Sequence, residues 1–284
     1  MTDKLSISIV IPVFNEEVQI KGCLESVFSQ TVLPDEVIVV DNNCQDRTVE
    51  IAKSFGPKVE VVSEKSQGRG HARTTGFNAV KSDIIGRIDA DSRMSSNWVE
   101  TVLRNFEKDS SLMGLTGIGK TSFIPGIHSP KTTFFSHCYY WYVRAGFRTT
   151  TMWGATMALR RSAWEKVSDK VCNDDNLVHE DQDVSLWVAG MRGKIAQNNS
   201  LRITASGSDY MNIRKALHYR ALYLLTKNIH LKNGNLSKAS RSGHNISTHI
   251  AGVIGVYIFG GLILILSFLL FVIRLPFKLL IAKK

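Results

Sequence analysis

The chain has 284 residues, with 35 Lys and Arg against 25 Asp and Glu and a formal net charge of +10. That length can bury one core of about 200 to 250 residues and still carry an appendage. A basic balance admits nucleic acid, anionic membrane or phosphate-rich ligands, but no zinc-finger spacing or RNA-binding aromatic signature is present, so nucleic-acid binding is set aside as the primary function. Cys23, Cys44, Cys138 and Cys172 have no metal-ligand spacing and form no dense framework, which fits a reducing cytosol.

Leu5 to Val13 is rich in β-branched residues and reads as a first strand, too short and too poor in leader features to be a secretory signal. Phe14-Asn15-Glu16-Glu17 follows, with Asn15 expected as an N-cap. Ile20, Leu24, Val27 and Phe28 then recur on one face of a helix. Val37 to Val40 gives a second strand ending in Asp41. Asp46 to Phe55 gives a second helix with Thr48, Ile51, Ala52 and Phe55 inward, and Val59 to Val62 a third strand. Gln67-Gly68-Arg69-Gly70-His71-Ala72-Arg73 opens a third helix; it lacks the last glycine of the dinucleotide fingerprint and does not follow the first strand.

Ile84-Ile85-Gly86-Arg87-Ile88 is an apolar run that ends in Asp89-Ala90-Asp91. On extended backbone, alternate side chains point the same way with their Cα atoms roughly 6.6 Å apart, so Asp89 and Asp91 can address one ligand. Hard oxygen donors with open coordination sites suit Mg²⁺ or Mn²⁺ carrying a diphosphate. Strand and helix alternation with short links predicts a doubly wound, mostly parallel sheet with flanking helices. Ligands of such sheets lie outside the carboxyl ends of the strands, where Asp41, Asp89, Asp91 and the Pro12 to Glu16 turn all fall.

Ser8 to Glu16, Val39-Val40-Asp41-Asn42-Asn43-Cys44-Gln45-Asp46-Arg47-Thr48, Asp89-Ala90-Asp91, Gly154 to Arg161 and His179-Glu180-Asp181-Gln182-Asp183 together resemble glycosyltransferase family 2, with its nucleotide-sugar-binding GT-A fold. The resemblance covers roughly residues 5 to 200. It implies an α/β GT-A domain over residues 1–208 and a donor that is a nucleotide-diphospho-sugar. Pro12, Phe14, Asn15, Glu16 and Asp41 would hold the nucleoside, Asp89 the ribose or metal, and Asp91 the divalent ion, Mg or Mn. Arg69 or Arg73 would assist the phosphates. Asp181 would be the general base of an inverting transfer, with Trp153, Gly154 and Glu180 lining the acceptor side. No Gln-x-x-Arg-Trp stretch follows Asp181, so transfer of one or a few residues is expected rather than long-chain polymerisation. Arg73 precedes Thr74, where many relatives have Asn. The alternatives are a polyprenyl-phosphate glycosyltransferase, a nucleotidyltransferase, whose glycine-rich first loop is missing after Val13, and a catalytically inert membrane scaffold.

Residues 120 to 150 break the sheet alternation with Phe134, Phe135, Tyr139, Tyr140, Trp141 and Tyr142, an aromatic cluster that packs a helix or forms an acceptor platform. Within residues 209–245, Asp209 to Leu231 reads as a basic amphipathic helix, with Tyr210, Ile213, Leu217, Leu224 and Leu225 among Arg214, Lys215, His218, Arg220 and Lys227, lying in the headgroup plane or packed on the catalytic domain, and Lys232 to His244 reads as a flexible linker. Ile250 to Ile273 runs 24 residues without a charge, long enough for one tilted transmembrane helix, so residues 246–284 are expected as an anchor and basic tail. The flanking basic residues are balanced, which leaves the positive-inside rule silent. A cytosolic donor places the catalytic domain in the cytoplasm of a single-pass membrane protein. The acceptor is expected to be a glycan or lipid-linked saccharide, in cell-wall or polysaccharide biosynthesis.

Overall fold

A computed structural model describes residues 4–122, 131–206 and 213–236. Its strands are β1 (Ile7–Val13), β2 (Glu36–Asp41), β3 (Val59–Ser63), β4 (Ile84–Arg87), β5 (Ser92–Met94), β6 (Leu112–Ser122), β7 (Met157–Arg160) and β8 (Lys194–Ser206). Its helices are α1 (Ile20–Phe28), α2 (Thr48–Lys53), α3 (Arg69–Ala79), α4 (Trp98–Lys108), α5 (Lys131–Phe147), α6 (Arg161–Trp164), α7 (Glu180–Gly190) and α8 (Ile213–Lys232).

The described strands form one sheet in the order β3-β2-β1-β4-β7-β6-β8-β5. Strands β1 to β4 pair parallel, as the βα alternation predicts. From there the sheet is mixed. Strand β7 runs antiparallel to both β4 and β6, β8 is parallel to β6, and β5 is antiparallel to β8. The expectation of a mostly parallel sheet therefore describes only its first half.

Strand alternation divides the core. Ile7, Ile9, Ile11 and Val13 of β1, with Val37 and Val39, pack against Ile20, Leu24 and Val27 of α1 and Trp98, Val102 and Phe106 of α4. Val10, Ile38 and Val40 point through the other face to Ala72 and Phe77 of α3, Trp164 of α6 and Val184 and Val188 of α7. Each fully buried Ile, Leu or Val contributes about 1.5–3 kcal/mol. A third cluster joins Val143 and Phe147 of α5, Leu186 of α7, Tyr223 of α8 and Leu236. The aromatic stretch thus packs a helix in part, with Tyr140 buried and Trp141 left 60% exposed.

Two local expectations differ. Asn15 does not cap a helix; it sits at φ +54°, its side-chain oxygen accepts the Gln45 N–H at 2.8 Å, and α1 begins only at Ile20 after Gln19. On α8 the inward face is Leu222, Tyr223, Thr226, Lys227 and His230, while Leu224 and Leu225 face outward. That helix belongs to the compact unit Met1–Ser237 and packs on α7. Among the described residues no helix is long and apolar enough to cross a membrane. The expected span at 250–273, most of the linker, Tyr210 and the side chains of Phe134, Phe135, Ile213 and Leu217 lie outside what is described.

Candidate active site

The carboxyl ends of β1 and β2 are fastened to each other. The Asn42 N–H donates to the Val13 carbonyl at 3.0 Å, the Glu16 N–H to Thr48 Oγ1 at 2.7 Å, and the Glu17 N–H to Asp46 at 3.0 Å. Asp41 closes its own turn by accepting the Cys44 N–H at 2.8 Å. Pro12, Asn15, Glu16 and Asp41 therefore share one rim, and Phe14 stands from it half exposed.

Strand β4 ends at Arg87, and Asp89 and Asp91 lie on the short bend into β5. Asp89 keeps 42% of its side chain open, and its Oδ1 accepts from Arg87 Nη2 at 3.1 Å. Partial burial pushes the Asp89 carboxyl up, and Asp91, Glu180 and Asp181 add to that while Arg87 opposes it. Among the described residues no group of three or more His, Cys, Asp or Glu side chains is arranged to hold a metal ion. The strand end thus supplies two hard oxygen donors and not a full cage. That fits Mg²⁺ or Mn²⁺, which take one or two carboxylates and complete their shells with phosphate and water.

Behind this bend is a buried ionic network. Arg87 Nη1 donates to Glu180 Oε1 at 2.6 Å, and Arg73 Nη1 donates to the Glu180 carbonyl at 2.8 Å and to its Oε2 at 3.3 Å. All three side chains are at most 5% exposed. Burial alone would disfavour the Arg87 charge, but Glu180 and Asp89 more than offset it and hold the guanidinium above its ordinary range. Two arginines around one carboxylate satisfy a charge that would otherwise be costly to bury.

Arg73, expected at the phosphates, is in this network instead: its Nη2 donates to Thr74 Oγ1 and Asn173 Oδ1 at 3.1 and 3.0 Å. Glu180, expected to line the acceptor side, is likewise enclosed by the two guanidinium groups. Arg69 remains exposed at the start of α3, its Nη1 donating to Tyr219 of α8 at 3.3 Å. The α3 N-terminus is covered by Asp175, which accepts the N–H groups of Arg69 and Gly70 at 2.6 and 3.0 Å. Gly70 is needed for this approach, because a Cβ there would lie 2.6 Å from the Asn173 carbonyl oxygen.

Asp181 is 3% exposed in the first turn of α7. Its Oδ2 accepts the Gly154 N–H at 2.8 Å, and its Oδ1 lies 2.6 Å from His179 Nδ1. Burial would raise its carboxyl, but His179, the Gly154 N–H and Arg87 together pull it well below the usual range. Gly154 lies on the Arg87 guanidinium, where a Cβ would sit 2.8 Å from Nη1, and half-buried Trp153 lays its ring over Gly119. Gln182 donates to Tyr139 at 3.1 Å, while Asp183 accepts the Cys172 N–H at 2.7 Å and pairs with His230 at 2.8 Å. The His179 to Asp183 motif is thus a buried polar turn in which each side chain has a different neighbour.

The structure brings Asp89, Glu180, Asp181 and Gly154 around Arg87, and holds Pro12, Phe14, Asn15, Glu16 and Asp41 together on the neighbouring rim. Sequence reasoning missed Arg87, His179 and Asp175. The signal for Arg87 was a single charge inside an otherwise apolar strand, which has to be paired.

Comparison with known proteins agrees with this arrangement. The sequence pattern of Glycosyl transferase family 2 matches residues 8–167. The chain is 28% identical over 207 residues to the probable glycosyltransferase YdaM of Bacillus subtilis, covering 66% of this chain and 47% of that protein. It is 37% identical over 100 residues to the glycosyltransferase AglE of Haloferax volcanii, covering 33% of each. It spans less than half the length of these two curated relatives. The fold is shared with the mannosyltransferase PcManGT of Pyrobaculum calidifontis in complex with GDP-Man and Mn²⁺, at a TM-score of 0.62 and 17% identity over 98% of this chain and 83% of that one. S. aureus TarS in complex with UDP-GlcNAc gives a TM-score of 0.56 at 17% identity over 71% and 58%. With more than half of its length matched by the family pattern, the chain belongs to glycosyltransferase family 2.

Proposed function

We propose that the protein transfers a sugar, with inversion, from a nucleotide-diphospho-sugar to a hydroxyl of a glycan or lipid-linked saccharide at the cytoplasmic face of a membrane. The observation that carries this reading is Arg87, whose one guanidinium joins Asp89 at the open strand end to Glu180, the neighbour of Asp181. Donor and acceptor halves of a transferase would then share a rigid, charged floor. Names of structural relatives support the donor class: PcManGT is described with GDP-Man and Mn²⁺, and TarS with UDP-GlcNAc.

In this reading Phe14 offers an exposed apolar wall to the nucleobase, with Pro12, Asn15 and Glu16 forming the turn around it, and Asp41 accepts hydrogen bonds from the base edge. Arg69, rather than the enclosed Arg73, is the guanidinium placed to meet phosphate oxygens. Asp91 and Asp89 would hold a divalent ion, Mg or Mn, whose charge stabilises the departing diphosphate when bound. Asp181 takes the proton of the acceptor hydroxyl on the opposite side, with Gly154 N–H fixing its orientation and Trp153 forming the acceptor wall. The domain is completed by α8, and residues 246–284 anchor it, because 250–273 is apolar over a membrane-spanning length.

Incubating detergent-solubilised protein with a panel of nucleotide-diphospho-sugars, acceptor extract and Mn²⁺ or Mg²⁺ tests the assignment. Asp91→Asn and Asp181→Asn should each lose transfer by at least about a hundredfold while still folding, as a single cooperative melting transition shows. Full turnover in either would contradict its role. Transfer surviving in Asp181→Asn alone would point to a lipid-phosphate acceptor, which needs little base catalysis. Deleting residues 246–284 should release the protein from the membrane pellet, and a truncated chain that still sediments with membranes would remove the anchor.

A further inference from the structure

His179 is in direct contact with the proposed base. Its Nδ1 is 2.6 Å from Asp181 Oδ1, within ion-pair distance, and both atoms are buried with no hydrogen bond of good geometry to any group among the described residues. The residue is held from α8: the His179 backbone N–H donates to Thr226 Oγ1 at 2.8 Å, and its ring lies against Tyr219 with centroids 5.5 Å apart. Thr226 is buried and itself donates to the Leu222 carbonyl, so α8 presents its hydroxyl oxygen rigidly. His179 keeps 17% of its side chain accessible, while its Nδ1 is buried.

We propose that His179 is the positioning residue of Asp181, and that the base works only when this imidazole is neutral. In the neutral ring, Nδ1–H donates to Oδ1 and fixes the carboxylate without a net charge beside it. Asp181 then takes the acceptor proton, the electron pair left on the hydroxyl oxygen forms the new bond to the anomeric carbon, and the bond to the diphosphate breaks with its pair leaving on the phosphate oxygen. The proton on Asp181 is afterwards lost to water. An imidazolium in the same place would stabilise the carboxylate and weaken it as a base.

The surroundings set where this change falls. The charged or titratable groups around the ring are Asp181 and Glu180 from α7, Arg69 from α3 and Tyr219 from α8. Burial disfavours the imidazolium, but the two carboxylates more than offset it, so His179 titrates above its ordinary value of 6.5.

The inference rests on the transferase reading, and the test separates the two. The pH profile of kcat/KM is compared for the full-length wild type, His179→Asn and Asp181→Asn. Asparagine keeps a neutral N–H donor near the Nδ1 position but has no titration. Wild type should show an acidic limb above pH 6.5. In His179→Asn that limb should shift to the carboxylate range, with activity within about a hundredfold of wild type and donor KM unchanged. An unshifted limb in His179→Asn would overturn the proposal. Should that variant not fold, imidazole ¹⁵N titration of wild type and Asp181→Asn decides it: the His179 value must fall in Asp181→Asn, and equal values in both would overturn the pairing. Failure of the wild type to consume any donor would instead remove the transferase reading, leaving the ¹⁵N titration to judge the pair.

Discussion

Arg87 holds a position where a charge is expensive, at the end of a strand buried on both faces, and it is kept there by Glu180 and Asp89. Removing one member of such a network strands the others. Arg87→Met should lower unfolding stability by about 3–5 kcal/mol, measured by urea titration, because Glu180 is left with Arg73 alone. A loss under 1 kcal/mol would mean the network contributes little. Asp89 and Asp91 were legible in the sequence because paired acids after an apolar run stand out. Arg87 was not, because one charge among five residues does not disturb the hydrophobic pattern. Arg73 misled for the opposite reason: a basic residue near glycines at a helix start suggests phosphate, and only the fold reveals that Glu180 and Asn173 enclose it.

The His179–Asp181 pair also ties stability to pH. Asp181 is depressed, so its contribution is present above its unfolded value of 3.8 and is lost as pH falls through the folded value. His179 is raised, so its contribution is full below 6.5 and is lost as pH rises through the folded value. Their joint stabilisation is thus greatest between about pH 4 and 6.5. The difference in urea midpoint between wild type and Asp181→Asn should be larger at pH 5.5 than at pH 9; an equal difference would show that the two groups do not interact.

Helix α8 shows how an element can be found and yet be turned the wrong way. Its existence was legible from Asp209 to Leu231, with Leu224 and Leu225 read as part of its apolar face and Lys227 as part of its basic one. The structure buries Thr226, Lys227 and His230 beside Leu222 and Tyr223, because the surface of α7 it covers is polar. Thr226 satisfies the His179 N–H, and His230 satisfies Asp183 while its Nδ1 meets Asn235 Nδ2 at 2.8 Å. A hydrophobicity pattern cannot register such complementarity. His230→Leu should therefore cost about 1–3 kcal/mol by leaving Asp183 short of a partner. Leu224→Ser and Leu225→Ser, at 36% and 42% exposure, should change stability by no more than about 0.5 kcal/mol each. The reverse order in thermal melts would contradict the orientation of α8.

Across the whole molecule, legibility follows sequence distance. Strands β1 to β4 alternate with helices at short range and were readable. The second half of the sheet was not, because β7 enters between β4 and β6 and β8 pairs with a strand some eighty residues earlier. In the proposed mechanism that half carries the acceptor side. It brings Gly154, from the turn before β7, and Asp181, from α7, to the open end of β4, so the acidic strand end and the buried polar turn become one site.

Release of nucleoside diphosphate from a panel of nucleotide-diphospho-sugars, followed side by side for wild type and Asp181→Asn, tests this union most directly. The account predicts metal-dependent release from one donor by wild type in the presence of acceptor, and none above background by the variant. No release from any donor by the wild type would contradict it.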